Sequence, residues 1–336
     1  MDKLDTRTKE EFSIKGQQIV HWLAENSTAV ITTDPRELVK DLNPLRNIVN
    51  DAQVVGLGEA THGNKEFAQI KDGVLRFLVE EMDFNGLVME VPEESAKGIN
   101  SYIKTGEGDP QKLLVDLGYW VTRTQEVLEM IIWMRAFNEL HPNRKVSFYG
   151  CDISIDDTRR KNNSSRDNAM ADNTIKFLRK AGENARFVLW AHNTHIANLD
   201  ISSYKTAGAH LKDELGDKYL NFAKIFNQGS FLARREGFGA QLSGGIETFE
   251  FSNSSKNSYA TFFSQTRKPI SIIDLRDTKS NPSFKSWYDG IHTVWEIGSV
   301  FDPNEAQSYS QTIDLPNKYD GVIWVEKVSP ATLINL

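Results

Sequence analysis

Residues 53–63 read Gln-Val-Val-Gly-Leu-Gly-Glu-Ala-Thr-His-Gly. The apolar run Val54-Val55-Gly56-Leu57 stops at Gly58, as a short strand buried on both faces does, and the polar cluster Glu59, Thr61 and His62 follows at once. Downstream, Phe67, Ile70, Val74, Leu75, Leu78 and Met82 recur at helical spacing, so residues 64–83 are predicted to form an amphipathic helix. Strand, polar loop and helix make up the repeating unit of a parallel sheet covered by helices.

The unit recurs along the chain. Gly86–Val91 is a second apolar strand stopped by Pro92, followed by a helix over Glu93–Lys104 and a turn over 105–109. A long amphipathic helix is predicted over Thr122–Leu140, a third strand over Lys145–Gly150 and a fourth over Arg186–Ala191. Between the last two, a polar segment, Thr158–Asn168, leads into a helix near Met170–Lys180. Upstream, Phe12, Ile19, Val20, Trp22 and Leu23 share a helix face that ends at Asn26-Ser27, and a second helix, Leu38–Val49, is interrupted near Pro44. Residues 1–50 are therefore expected to overlay a single elaborated α/β domain at 51–336, built on a mainly parallel sheet flanked by helices. Beyond residue 200, Tyr219–Ile225 and Ser230–Arg235 read as strands paired across Asn227-Gln228-Gly229. Residues 252–258 read as a polar loop, and Pro269–Leu275 and Gly321–Val328 as further strands.

Composition narrows the function classes. Among 336 residues, 39 Lys+Arg against 46 Asp+Glu leave a charge of −7, which argues against the basic patch of a nucleic-acid binder. No apolar run approaches the roughly 18 residues of a membrane span. The opening MDKLDTRTKEEF lacks the apolar stretch of a signal peptide, so a cytoplasmic protein without nucleic-acid or membrane partners is expected. The single cysteine, Cys151, excludes an intramolecular disulfide and a Cys-based zinc cluster.

In an open parallel sheet, ligands bind beyond the carboxyl ends of the strands. The four predicted strands deliver Glu59, His62, Glu90, Asp152, His192 and His195 to one such rim. Glu59 and Thr61 also suit a cap for the next helix, and Asp152 a turn. A carboxylate inside the apolar run that carries Glu90 is costly unless paired or functional. Lys71 lies on the apolar face of its helix, either snorkelling to water or setting its ammonium beside Glu59 and Glu90. Arg123 and Arg166 are further candidate cations. A dinucleotide fingerprint starting at Gly56 breaks at Thr61, and no P-loop, G-x-S-x-G elbow or HExxH is present. Water activated by a base or by a metal becomes the leading chemistry.

From about residue 53 to about residue 230, the chain resembles the erythromycin esterase family. The resemblance rests on GEATHG (58–63), Glu66-Phe67, a cation nine positions after His62, Glu90, Trp120 with Arg123, and MRAFNE (134–139). FYGCD (148–152), RDNAMADN (166–173), LWAHNTH (189–195) and FNQGSF (226–231) complete it. It implies a Rossmann-like core with a partial helical lid, and a hydrolase that opens macrolide lactones with water, an antibiotic-resistance activity. Carried over by position, His62 is the general base, with Glu59, Glu90, His192 and His195 in the same cleft. Lys71 stands where macrolide esterases of the family place Arg, replacing a planar fork by a point charge. Trp120, Arg123, Arg166 and Asp152 are expected on the substrate side. No cofactor is expected. The alternatives are a divalent metal such as zinc or manganese held by His62, His192, His195 and Glu90, and a non-catalytic ligand-binding protein.

Overall fold

The computed structural model describes residues 2–154, 163–235, 245–253, 255 and 257–334. The strands are β1 (Ser27–Ala29), β2 (Val54–Leu57), β3 (Gly86–Pro92), β4 (Ser147–Asp152), β5 (Phe187–Trp190), β6 (Asp200–Ile201) and β7 (Tyr204–Lys205). They continue with β8 (Tyr219–Arg235), β9 (Ile246–Ser252), β10 (Ile270–Asp274), β11 (His292–Trp295), β12 (Val300–Phe301), β13 (Ser310–Ile313) and β14 (Gly321–Val328). Ten of these form one sheet along the path β1-β10-β14-β8-β2-β5-β3-β4, with β9 and β12 paired to β8. From β14 to β4 every neighbouring pair is parallel, whereas β10 and β1 close one edge antiparallel. The carboxyl ends of β2, β3, β4 and β5 therefore share one rim.

Helices cover both faces, and alternation along each strand shows it. Val55, Leu57, Leu87, Met89, Val188 and Trp190 join the core under α4 (Lys65–Met82), α5 (Glu93–Thr105) and α7 (Gln125–Leu140). Val54, Val88, Phe187 and Leu189 join the opposite core, with α1 (Asp2–Asn26) and α8 (Asn163–Ala181). The mainly parallel α/β sheet is as expected. Among the described residues no helix is long and apolar enough to cross a membrane.

Several boundaries differ from the sequence expectation. The two strands expected at Tyr219–Ile225 and Ser230–Arg235 are one continuous strand, β8. It runs parallel to β14 from Phe222 to Gly229 and continues against β9 from Gln228 to Arg234. Gly229, at φ 124°, sits where a Cβ would lie 2.0 Å from the Val328 carbonyl oxygen, so the residue that suggested a turn accommodates a close strand crossing instead. The helix expected from Thr122 begins at Gln125, because the Thr124 side chain caps it and Trp120–Thr122 form a separate 3₁₀ turn. Leu38–Val49 divides into α2 (Pro35–Leu38), a 3₁₀ turn and α3 (Leu45–Val49). The third strand is shifted to end at Asp152. Of the polar segment expected at 158–168, residues 158–162 lie outside the described residues.

Candidate active site

The loop after β2 is fixed by close backbone approach from the second half of the chain. The Ala60 carbonyl accepts from the Ile297 and Gly298 amides at 2.6 and 3.2 Å, and the His62 amide donates to the Gly298 carbonyl at 3.2 Å. The Gly63 carbonyl accepts from the Leu232 and Ala331 amides at 2.8 and 3.0 Å. A Cβ on Gly63 would fall 1.7 Å from the Leu232 carbonyl oxygen, and one on Gly58 2.1 Å from Asn193 Oδ1. Helix α4 is capped by Asn64, which accepts from the Phe67 amide at 2.8 Å. Neither Glu59 nor Thr61 is the cap.

Glu59 is buried and bridges two partners: Oε1 lies 2.7 Å from His62 Nδ1, and Oε2 lies 2.7 Å from Lys71 Nζ. A carboxylate only accepts, so His62 Nδ1 carries a proton and donates it to Glu59. Lys71 is wholly buried and does not snorkel; its ammonium also donates to the Ala191 carbonyl at 3.4 Å and sits 4.4 Å from the Trp190 ring centroid. Burial pushes the Glu59 carboxyl upward, but Lys71 and His62 outweigh it and hold it at about 2. Burial brings Lys71 down to about 8, and Glu59 opposes a further fall.

A second cluster surrounds Arg166. Its guanidinium binds Glu90 at 2.7 Å and forms a two-point pair with Asp152 at 2.9 and 2.7 Å. Glu90 also accepts from the His192 amide at 2.9 Å. His195 Nδ1 lies 2.7 Å from buried Asp167, whose second oxygen accepts from the Tyr204 hydroxyl at 2.7 Å. Burial disfavours a charged His195, but Glu90 and Asp167 outweigh it and raise its pKa to about 10. Arg166 Nη1 stands 3.0 Å from His195 Nε2 and only donates, so a protonated Nε2 turns to Glu90 Oε1, at 3.3 Å. Glu90 is held well below the usual carboxylate range: burial opposes its charge, while His195 and Arg166 stabilise it.

Three further buried groups contrast with these. His192 is brought down to about 3 by burial and by neighbouring histidines, and is therefore neutral; its ring centroid lies 5.3 Å from that of His62. Glu296 Oε1 accepts from Asn193 at 3.1 Å, Oε2 lies 3.4 Å from His192 Nε2, and burial raises the carboxyl to about 8. Lys224 is wholly buried, donates to the Gly58 carbonyl at 3.1 Å, and is held well below its ordinary range by burial and by Lys71.

Of these groups Glu59, His62 and Glu90 line a narrow cleft, together with Asn64, Thr122, Thr124 and apolar Ala68, Met89, Val121, Val127, Trp190 and Ala331. The structure brings Glu59, His62 and Glu90 into its lining, with Lys71 buried against Glu59. Arg166, Asp152 and His195 pack behind Glu90, and His192 beside His62. Trp120 and Arg123 belong to the same turn as Val121 and Thr122, but it is the latter two that line the cleft. Among the described residues no three His, Cys, Asp or Glu side chains converge as a metal-ligand group, and both His195 ring nitrogens face protein partners. Sequence reasoning missed Lys224, Glu296, Asp167 and Tyr204. Lys224 was visible as a charge inside the apolar run Phe222-Ala-Lys-Ile-Phe226, the same signal that marked Glu90. Glu296 just follows β11 and Tyr204 opens the two-residue strand β7, neither with a comparable mark.

The model of the family described as erythromycin esterase matches residues 79–161 and 154–328. Erythromycin esterase type II of Escherichia coli is 29% identical over 132 residues, a stretch that covers 39% of this chain and 31% of that relative. The chain thus matches about a third of that relative's length. A solved structure of a Bacillus cereus protein is similar at TM-score 0.82 and 22% identity, over 95% of this chain and 99% of the other. An erythromycin esterase mutant in its open conformation is similar at TM-score 0.67 and 14% identity, over 92% and 99% of the two chains.

Proposed function

The chain belongs to the erythromycin esterase family, and on that premise we propose that it is a hydrolase of a small carboxylic ester or lactone, using water activated by His62. The observation that carries this reading is the Glu59 carboxylate, which lines a cleft beside His62 and is paired both with that imidazole and with buried Lys71. Glu59 fixes the imidazole tautomer and stabilises the imidazolium that forms, as the carboxylate of a catalytic triad does. Water attacks the carbonyl carbon and gives its proton to His62 Nε2. The tetrahedral intermediate then expels the alkoxide, which takes that proton back, leaving an acid and an alcohol without a covalent acyl-enzyme. Lys71 keeps Glu59 ionised. The positive charges of His195 and Arg166, behind Glu90, contribute field for the developing oxyanion.

The width of the cleft supports a small substrate. The space it leaves for water-sized groups is about 20 Å³, well below the roughly 300–1,000 Å³ of small-molecule sites, so a small ester needs modest widening and a macrolide far more. Turnover should be measured on p-nitrophenyl esters, simple lactones and erythromycin, with and without a chelator. Hydrolysis of small esters that survives chelation is the expected result. Binding without product on every substrate would leave the non-catalytic alternative, and loss with chelator the metal-dependent one.

A further inference from the structure

Residues 329–334 run beside the cleft as an extended strap, joining the first turns of α4 and α7. The free backbone amides at the two helix starts are used to hold it: Lys65 donates to the Ser329 carbonyl at 2.9 Å, and Gln125 to the Thr332 carbonyl at 2.8 Å. The neighbouring helix carboxylates return the contact. Glu66 accepts from the Ser329 amide and hydroxyl at 2.7 and 2.6 Å, and Glu126 accepts from the Thr332 amide at 3.2 and 3.3 Å. The Ala331 amide donates to the Gly63 carbonyl at 3.0 Å, one residue from His62, and the Ile334 amide to the Arg123 carbonyl at 3.1 Å. The strap is thus tied at both ends and in its middle.

Between those ties one side chain enters the cleft. Ala331 is buried and lines the cleft, joining the apolar wall of Ala68, Met89, Val121, Val127 and Trp190. Resting on the esterase reading above, we propose that this strap is the specificity wall of the site, with Ala331 setting the size of the acyl group admitted beside His62. The matching substrate class is an ester whose acyl part is short and apolar. Glu66 and Glu126 act as positioning residues, holding the wall rather than touching substrate.

Two readouts test this on the full chain. The first is independent of turnover: carbethoxylation of histidines by diethyl pyrocarbonate, mapped by mass spectrometry, with exposed His21 as internal standard. Ala331→Trp should slow modification of His62 by about tenfold or more, since even a methylene's worth of pocket volume discriminates at that level. Ala331→Val should act in the same direction with less effect, and His21 should not change. The second is an ester series from acetate to octanoate, where Ala331→Gly should shift preference toward longer acyl chains. An unchanged or raised His62 rate in both larger variants, or a chain-length preference untouched by Ala331→Gly, overturns the proposal. If no ester is turned over yet Ala331→Trp still shields His62, the strap stands as a wall and the esterase reading falls instead.

Discussion

Glu59 meets two opposing demands, because burial disfavours its charge while His62 and Lys71 require it. That arrangement makes the alkaline limb of activity a property of Lys71. As pH rises through about 8 the ammonium is lost and Glu59 loses its partner, so the rate should fall. Stability moves the other way: a lysine held below its unfolded value of 10.5 opposes folding at low pH, and this penalty fades between about 8 and 10.5. Activity should thus decline without unfolding, and Lys71→Arg, which stays charged, should move the limb to higher pH in a pH–rate profile. Glu59→Gln leaves that ammonium buried and unpaired, a change expected to cost about 3–5 kcal/mol in urea unfolding and roughly 10²–10⁴ in rate. Adding Lys71→Met should restore stability but not activity. At this scale the sequence marked Glu59, His62, Glu90 and Lys71 through their placement after strands or on an apolar helix face. Asp167 and Glu296 carried no such mark, because their role comes from contacts with His195, Asn193 and His192, far away in the chain.

Among the elements, β2, β3 and β5 were readable because strands buried on both faces leave unbroken apolar runs. Strand β8 was not, since Asn227-Gln228-Gly229 has turn composition and only pairing with β14 and β9 keeps the chain extended. Gly229→Ala tests this account. The substitution places a side chain at φ 124° against the Val328 carbonyl, and should lower stability by about 1–3 kcal/mol in denaturant unfolding. A neutral result would mean that the strand crossing is looser than described. Helix α7 shows the same lesson at smaller cost: the apolar spacing announced the helix, but the Thr124 cap set its start.

For the molecule as a whole, the α/β class and the rim of polar residues were legible in one sequence, because a parallel sheet converts strand order into a shared edge. The substrate was not, since part of the cleft wall comes from the 3₁₀ turn at Trp120–Thr122 and from the strap at 329–334, where periodicity says nothing. A chelator should leave the rate unchanged if water is activated by His62 alone, and its abolition of activity would require a metal. The most direct test of the central claim is the hydrolysis rate of His62→Asn, on an ester that the unaltered protein turns over, with folding checked by circular dichroism. The account predicts a folded protein slowed by roughly 10²–10⁴ or more. A folded variant that retains the full rate would contradict it.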